Sequence, residues 1–229
     1  FQRAKLISNP SAFVLGKPGL GKSTLIRRMA TGLAGYGVMP LVLGDLKPDY
    51  VDLIEAMGGQ VITLGRGRGY LNVLDPGEAT EAAARLLEAG FEKEASQVMA
   101  DAHGRRHTMV SALLTIMRSA PPTDREETII DRALKVLDER HDGVPVLGDL
   151  LKVIQDGPPE VRAVALDRGD EHRYKQITED LEASLIGLVG GGRLGETFSR
   201  HTPNPMRRDA PVVYDVSAID DSEMELQAA

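Results

Sequence analysis

Residues 16 to 23 read Gly16-Lys17-Pro18-Gly19-Leu20-Gly21-Lys22-Ser23, a spacing suited to gripping a chain of phosphates. Phosphate oxygens sit close together, so several donors must converge on them. Backbone N–H groups converge only where side chains are absent, which accounts for Gly19 and Gly21. Pro18 has no N–H, so the donors must come from Gly19, Leu20, Gly21, Lys22, Ser23 and Thr24. Lys22 supplies a positive charge for the β- and γ-phosphates, and the Ser23 hydroxyl a ligand for Mg²⁺. Thr24 falls near the α-phosphate. The expected ligands are ATP and Mg²⁺; the bland alternative is a glycine-rich turn that binds nothing.

Other candidates are scattered. Asp45 closes an apolar run beside the loop and could hold a metal-bound water or cap the next turn. Asp215 ends another run, Val212-Val213-Tyr214, but no Glu follows it. Arg66 and Arg68 lie in a glycine-rich loop that reads better as solvated than as phosphate-binding. Arg200, Arg207 and Arg208 precede the last apolar run, where an arginine could serve a neighbouring subunit in trans. His103 and His107 are four residues apart. Without an accompanying Glu frame or a cysteine they read as a solvated helix face rather than a metal pair.

These residues need elements to position them. Phe13-Val14-Leu15 reads as a strand entering the loop, and Leu25, Ile26, Met29 and Leu33 as the apolar stripe of a helix leaving it. The helix's positive N-terminal end then points at the bound anion. Pro40–Gly44 is a second strand, 49–57 a helix stopped by Gly58-Gly59, and Gln60–Leu64 a third strand. That alternation predicts an α/β fold with a parallel, doubly wound sheet.

Past Asp75-Pro76-Gly77 the pattern becomes helical. Ile129, Ile130, Ala133, Leu134 and Leu137 make one stripe, and Leu147, Leu150, Leu151 and Ile154 a second. Ile177, Leu181, Leu185 and Leu188 make a third. Thr123 and Glu126 form a capping box, and Gly157-Pro158-Pro159 separates two helices. The expected division is 1–78 as the first part of a nucleotide-binding core, 79–188 as an all-helical insertion, and 189–229 as the return to the core. Pro211–Val216 is the return strand, with a further helix starting at Ala218.

The 229 residues are 42% hydrophobic and 27% charged, as in an ordinary globular protein. No apolar run is long enough to cross a bilayer, and there is no cysteine for a disulfide or thiolate-bound zinc. The net charge is −7. Residues 79–188 hold 14 Lys and Arg against 21 Asp and Glu, whereas the rest holds 13 of each. An acidic insertion on a neutral core is poorly suited to gripping DNA. A first residue of Phe and a final Leu-Gln-Ala-Ala within a helical pattern predict a C-terminally truncated piece of a longer protein.

Several separated motifs together resemble one family. Gly44-Asp45-Leu46-Lys47-Pro48-Asp49-Tyr50 is similar to an Asp-Pro-x-Gly-Glu-Tyr segment, and Leu71-Asn72-Val73-Leu74-Asp75 to Leu-Asn-Pro-Leu-Asp. Phe198 to Thr202 and Val213-Tyr214-Asp215-Val216-Ser217 resemble the Phe…Thr and Phe-Asp-Leu-Ser pieces around that family's return strand. The family is that of the motor ATPases of type IV secretion and conjugative transfer, in the HerA/FtsK-like branch of P-loop proteins, and above all the fourth VirB component. The likeness extends over nearly the whole chain. Pro48 and Asp49 stand where the family has Gly-Glu, and Val73 where it has proline.

The resemblance implies a RecA-like P-loop NTPase core with a helical insertion, ATP and Mg²⁺ as ligands, and an oligomeric ring, a hexamer in the family. Catalysis would involve Lys22 and Asp49; metal binding would involve Ser23 and Asp45. Partners would be further copies and other secretion-channel components. The protein would be cytoplasmic, peripheral at the inner face of the membrane through those partners. The family's second acidic motif, an Asp-Glu pair on a downstream strand, is not found here, so this chain is expected to bind nucleotide and hydrolyse it slowly. The alternatives are a DNA-pumping translocase or coupling protein, and a nucleotide-dependent assembly scaffold.

Overall fold

The computed structural model of the chain describes residues 11–65, 68–190 and 195–218. Arg66, the flanking Gly67, the glycines at 191–192 and the helix expected after Ala218 fall outside that range. The described elements run α1 (Lys22–Ala34), β1 (Leu41–Asp45), α2 (Val51–Ala56), β2 (Gln60–Thr63), α3 (Ala79–Glu88) and α4 (Glu92–Arg118). They continue α5 (Asp124–Arg140), α6 (Leu147–Asp156), α7 (Pro159–Ala165), α8 (Glu171–Val189), α9 (Gly195–Phe198) and β3 (Val212–Asp215).

The three strands form a small parallel sheet in the order β1-β3-β2, so the last strand in sequence lies in the middle. Leu41 pairs with Val212, and Gln60 pairs with the same residue from the other side. That position suits Val212 and Val213, apolar in succession and both buried, since a central strand has no wet face to supply with polar residues. Gly44, at φ 88°, introduces a register irregularity before Asp45 meets Asp215. Helix α2 packs on β2 and β3 and buries Ile54 completely.

The strand expected at Phe13–Leu15 does not form. Ladder hydrogen bonds are what make a strand, and this segment pairs with none of the three described strands. Phe13 and Leu15 are 87% and 80% exposed. The apolar stripe of α1 is exposed too, and α1 buries no side chain. The helix forms nonetheless from Lys22, one residue after Gly21.

Residues 79–188 contain no strand. Their stripes meet in one core with Ile129, Ile130, Leu134, Leu147, Leu150, Ile154, Leu181, Leu185 and Leu188 wholly buried. At about 1.5–3 kcal/mol for each large apolar side chain removed from water, this cluster is the main source of stability. The starts of two of its helices, α5 and α8, are also secured. Thr123 Oγ1 accepts the Glu126 N–H, and Glu126 Oε2 accepts the Thr123 N–H, the reciprocal arrangement that starts α5. Asp170 caps α8 by accepting from His172 and Arg173.

The helical core reaches beyond residues 79–188. Val73, Leu74 and Phe198 are buried in it, although the sequence pattern places them on the sheet side of Gly77 and Gly190. Asn72 reinforces this junction: its Nδ2 donates to Pro145 O at 2.9 Å, and its Oδ1 accepts the Leu74 N–H.

Candidate functional site

Residues 17–21 form a tight turn leading into α1. Gly19 and Gly21 take φ of 81° and 77°, a region that a side chain would strain, and open space surrounds both Cα atoms. The N–H groups of Gly19 and of Gly21 through Thr24 have no hydrogen-bond partner among the described residues. A helix start normally satisfies such donors with a capping side chain, and here Gly21 supplies none. The Leu20 N–H alone turns back, to Lys17 O at 3.3 Å.

Lys22 folds its side chain over this turn. Its Nζ donates to Gly16 O at 2.8 Å and to Lys17 O at 3.0 Å, which places an ammonium beside the free N–H row. The donors, the helix end and the cation all favour an anion at one place. The residues therefore fit the triphosphate that the sequence predicts.

Two aspartates, one ending β1 and one in the loop that follows it, have different positions. Asp45 is buried, and both its oxygens are occupied: Oδ1 accepts the Asp49 N–H at 3.2 Å and Oδ2 the Tyr50 N–H at 2.8 Å. It folds the loop that leads into α2. Asp49 is exposed, and its Oδ2 accepts the Ser23 hydroxyl at 3.1 Å. Asp49 thus links Ser23 to Asp45, while Lys22 bonds Gly16 O and Lys17 O and, among the described residues, makes no hydrogen bond to this pair. Asp215, beside Asp45 in the sheet register, accepts the Ser217 N–H at 3.0 Å. Among the described residues no group of three His, Cys, Asp or Glu could hold a metal ion by itself.

The contact that sequence reasoning missed is Arg27, whose Nη1 donates to Asp49 O at 2.8 Å. The signal was available, because Arg27 lies four residues after Ser23 and shares its helix face.

No protein-family model matches the sequence, and no curated protein matches it. A solved structure does: that of VirB4 of Thermoanaerobacter pseudethanolicus, with a TM-score of 0.59 at 16% identity. The likeness is one of fold. It covers 93% of this chain and 51% of the VirB4 chain, so the chain spans about half the length of that neighbour.

Two of the segments singled out in the sequence also meet in space. The Leu71 N–H donates to Thr197 O, and the Asn72 N–H to Thr202 Oγ1, both at 2.8 Å. Leu71–Asp75 and Phe198–Thr202 are therefore one structural unit, 130 residues apart at the Asn72–Thr202 bond.

The remaining candidates lie elsewhere. Arg200 stacks on Tyr70 with its guanidinium 4.9 Å from the ring centroid, Arg207 pairs with Asp209, and Arg208 lies 3.4 Å from Glu78. Arg68 is exposed. His103 and His107 do not form a solvated face. His103 is bracketed by Asp131 at 2.8 Å and Asp138 at 3.5 Å, and His107 meets Glu127 at 3.0 Å. They turn inward because α5 presents these carboxylates along the seam with α4, where the buried Arg106 also grips Asp138 through both oxygens. Among the described residues no helix is long and apolar enough to cross a membrane.

Proposed function

We propose that this chain is the ATP-binding part of a P-loop motor ATPase that energises type IV secretion or conjugative transfer. The observation that carries the reading is the row of unpartnered N–H groups at Gly19 and Gly21–Thr24 with the Lys22 ammonium beside it. The fold likeness to VirB4 supports the choice of motor over the many other P-loop proteins.

In this reading the N–H groups of Gly19 to Thr24 hold the phosphates, and Lys22 leaves Gly16 O and Lys17 O for the β- and γ-phosphate oxygens. Bound Mg²⁺ would neutralise charge developing on the transferred phosphoryl group. Ser23 would hold the metal directly, with Asp49 behind it and Asp45 supporting the loop. Residues 79–188 are the inserted helical subdomain, and the active form is a ring of copies held near secretion-channel partners at the inner membrane face. The acidic insertion favours a secretion motor over a DNA pump, since 21 acidic residues against 14 basic ones repel a phosphate backbone.

Phosphate release at saturating ATP and Mg²⁺, with and without duplex DNA, tests the assignment. The reading expects slow turnover that DNA does not stimulate. Strong DNA stimulation would transfer the assignment to the DNA-pumping branch.

A further inference from the structure

Helix α1 buries no side chain, so apolar packing does not hold it against the sheet. Among the described residues, two hydrogen bonds tie it to the β1–α2 loop, and both go to Asp49. Ser23 Oγ donates to the carboxylate and Arg27 Nη1 to the backbone carbonyl. The third hold on Asp49 is its own N–H, bound by the buried Asp45. One exposed residue is thus fixed at its amide, its carbonyl and its side chain by three different partners. A surface aspartate in a loop ordinarily has no such restraint.

The restraint has a chemical consequence. A serine hydroxyl has one proton and two lone pairs. With its proton committed to Asp49, the Ser23 lone pairs are directed away from that carboxylate, which is the state a hydroxyl needs in order to bind a hard cation. Asp49 Oδ1 has no partner among the described residues and is open to a metal-bound water. Ser23 can serve this way only while Asp49 stays in place. The contact that keeps it there from the α1 side is Arg27, whose planar guanidinium is always charged and keeps further donors in reserve.

We propose that Arg27 is a positioning residue for the metal half of the nucleotide site. It pins Asp49 through its carbonyl, and Asp49 in turn orients Ser23. The pair Arg27–Asp49 thereby sets how strongly the chain prefers Mg²⁺-bound over metal-free nucleotide. This rests on the reading of residues 16–24 as the phosphate cradle, and it adds that metal dependence is governed from outside that cradle.

The test is binding of a fluorescent ATP analogue (mant-ATP) to the whole chain, in Mg²⁺ and in EDTA at matched ionic strength. The wild-type chain binds more tightly with Mg²⁺. Arg27→Ala and Asp49→Ala each cut that Mg²⁺ advantage by about 10-fold, the loss of one charge-assisted hydrogen bond, and Arg27→Ala leaves affinity in EDTA unchanged. Arg27→Lys, which can still reach a carbonyl, recovers part of it. The double variant is no worse than Asp49→Ala alone, because both act through one residue. Equal losses in Mg²⁺ and EDTA would make Arg27 a merely structural contact and overturn the proposal, as would an unchanged Mg²⁺ advantage. Absence of binding by the wild-type chain in either buffer would overturn the cradle reading as well.

Discussion

Ser23 and Asp49 are 26 residues apart in sequence, and the hydroxyl of the first donates to the carboxylate of the second at 3.1 Å. The bond connects the start of α1 to the loop that follows β1, and a second runs beside it from Arg27 Nη1 to Asp49 O. It also separates the roles of two nearby aspartates: Asp49 faces the candidate site, whereas the buried Asp45 folds the loop behind it.

That separation predicts opposite mutational profiles. Asp45→Ala strands the N–H groups of Asp49 and Tyr50 in a part-buried loop and should cost about 1–3 kcal/mol. Asp49→Ala removes an exposed side chain and should change stability by no more than about 0.5 kcal/mol. Urea unfolding of the two variants checks this. Equal destabilisation would mean that Asp49 is as structural as Asp45.

Gly59 provides a test of the sheet. A Cβ at this position would lie 2.5 Å from Pro211 O and 2.6 Å from Ile54 Cγ2, a junction of β2, β3 and α2. Gly59→Ala should therefore destabilise the chain by about 1–3 kcal/mol through forced backbone shifts. Gly58→Ala meets no atom there and is strained only through its positive φ, at about 1 kcal/mol. Thermal melting should rank Gly59→Ala below Gly58→Ala, and the reverse order would contradict the β2–β3 register.

Glu126 predicts an acid sensitivity for the helical part. Burial pushes its carboxyl up, but the Thr123 N–H, the Arg118 guanidinium and the Thr123 hydroxyl outweigh that and hold it below the usual range. A group depressed in the folded state stabilises above its unfolded value, about 4.3, and the contribution is lost as pH falls through the lower folded value. Asp131 adds in the same direction: burial raises it, and Lys135 and His103 lower it further. The melting temperature should thus drop steeply below about pH 4.3, and less steeply in Glu126→Gln. Identical slopes would show that the capping box contributes nothing to acid unfolding.

Much of this was legible in the sequence for identifiable reasons. The helices at 124–140, 147–156 and 171–189 follow their stripes because one buried face per helix is what a helical core requires. The Thr123–Glu126 box is visible because its two residues are three apart. Strand Phe13–Leu15 was misread because an apolar run signals a strand only where a neighbour offers hydrogen bonds, and local sequence does not record the neighbour. The histidines were misread likewise, since the carboxylates they meet are supplied by α5, Glu127 for His107 and Asp131 for His103. The bond that anchors Asn72 could not be read from its motif, because its partner, Pro145 O, is 73 residues away.

The central claim is that residues 16–24 hold a nucleotide's phosphates, and a titration of mant-ATP into the wild-type chain and Lys22→Ala tests it most directly. Loss of a charge-assisted contact worth about 1.5–3 kcal/mol should weaken binding by roughly 10- to 100-fold. The melting temperature should be unchanged, since among the described residues Lys22 makes its hydrogen bonds only to the exposed carbonyls of Gly16 and Lys17. Equal affinity in the two chains, or no binding by the wild type, would contradict the account.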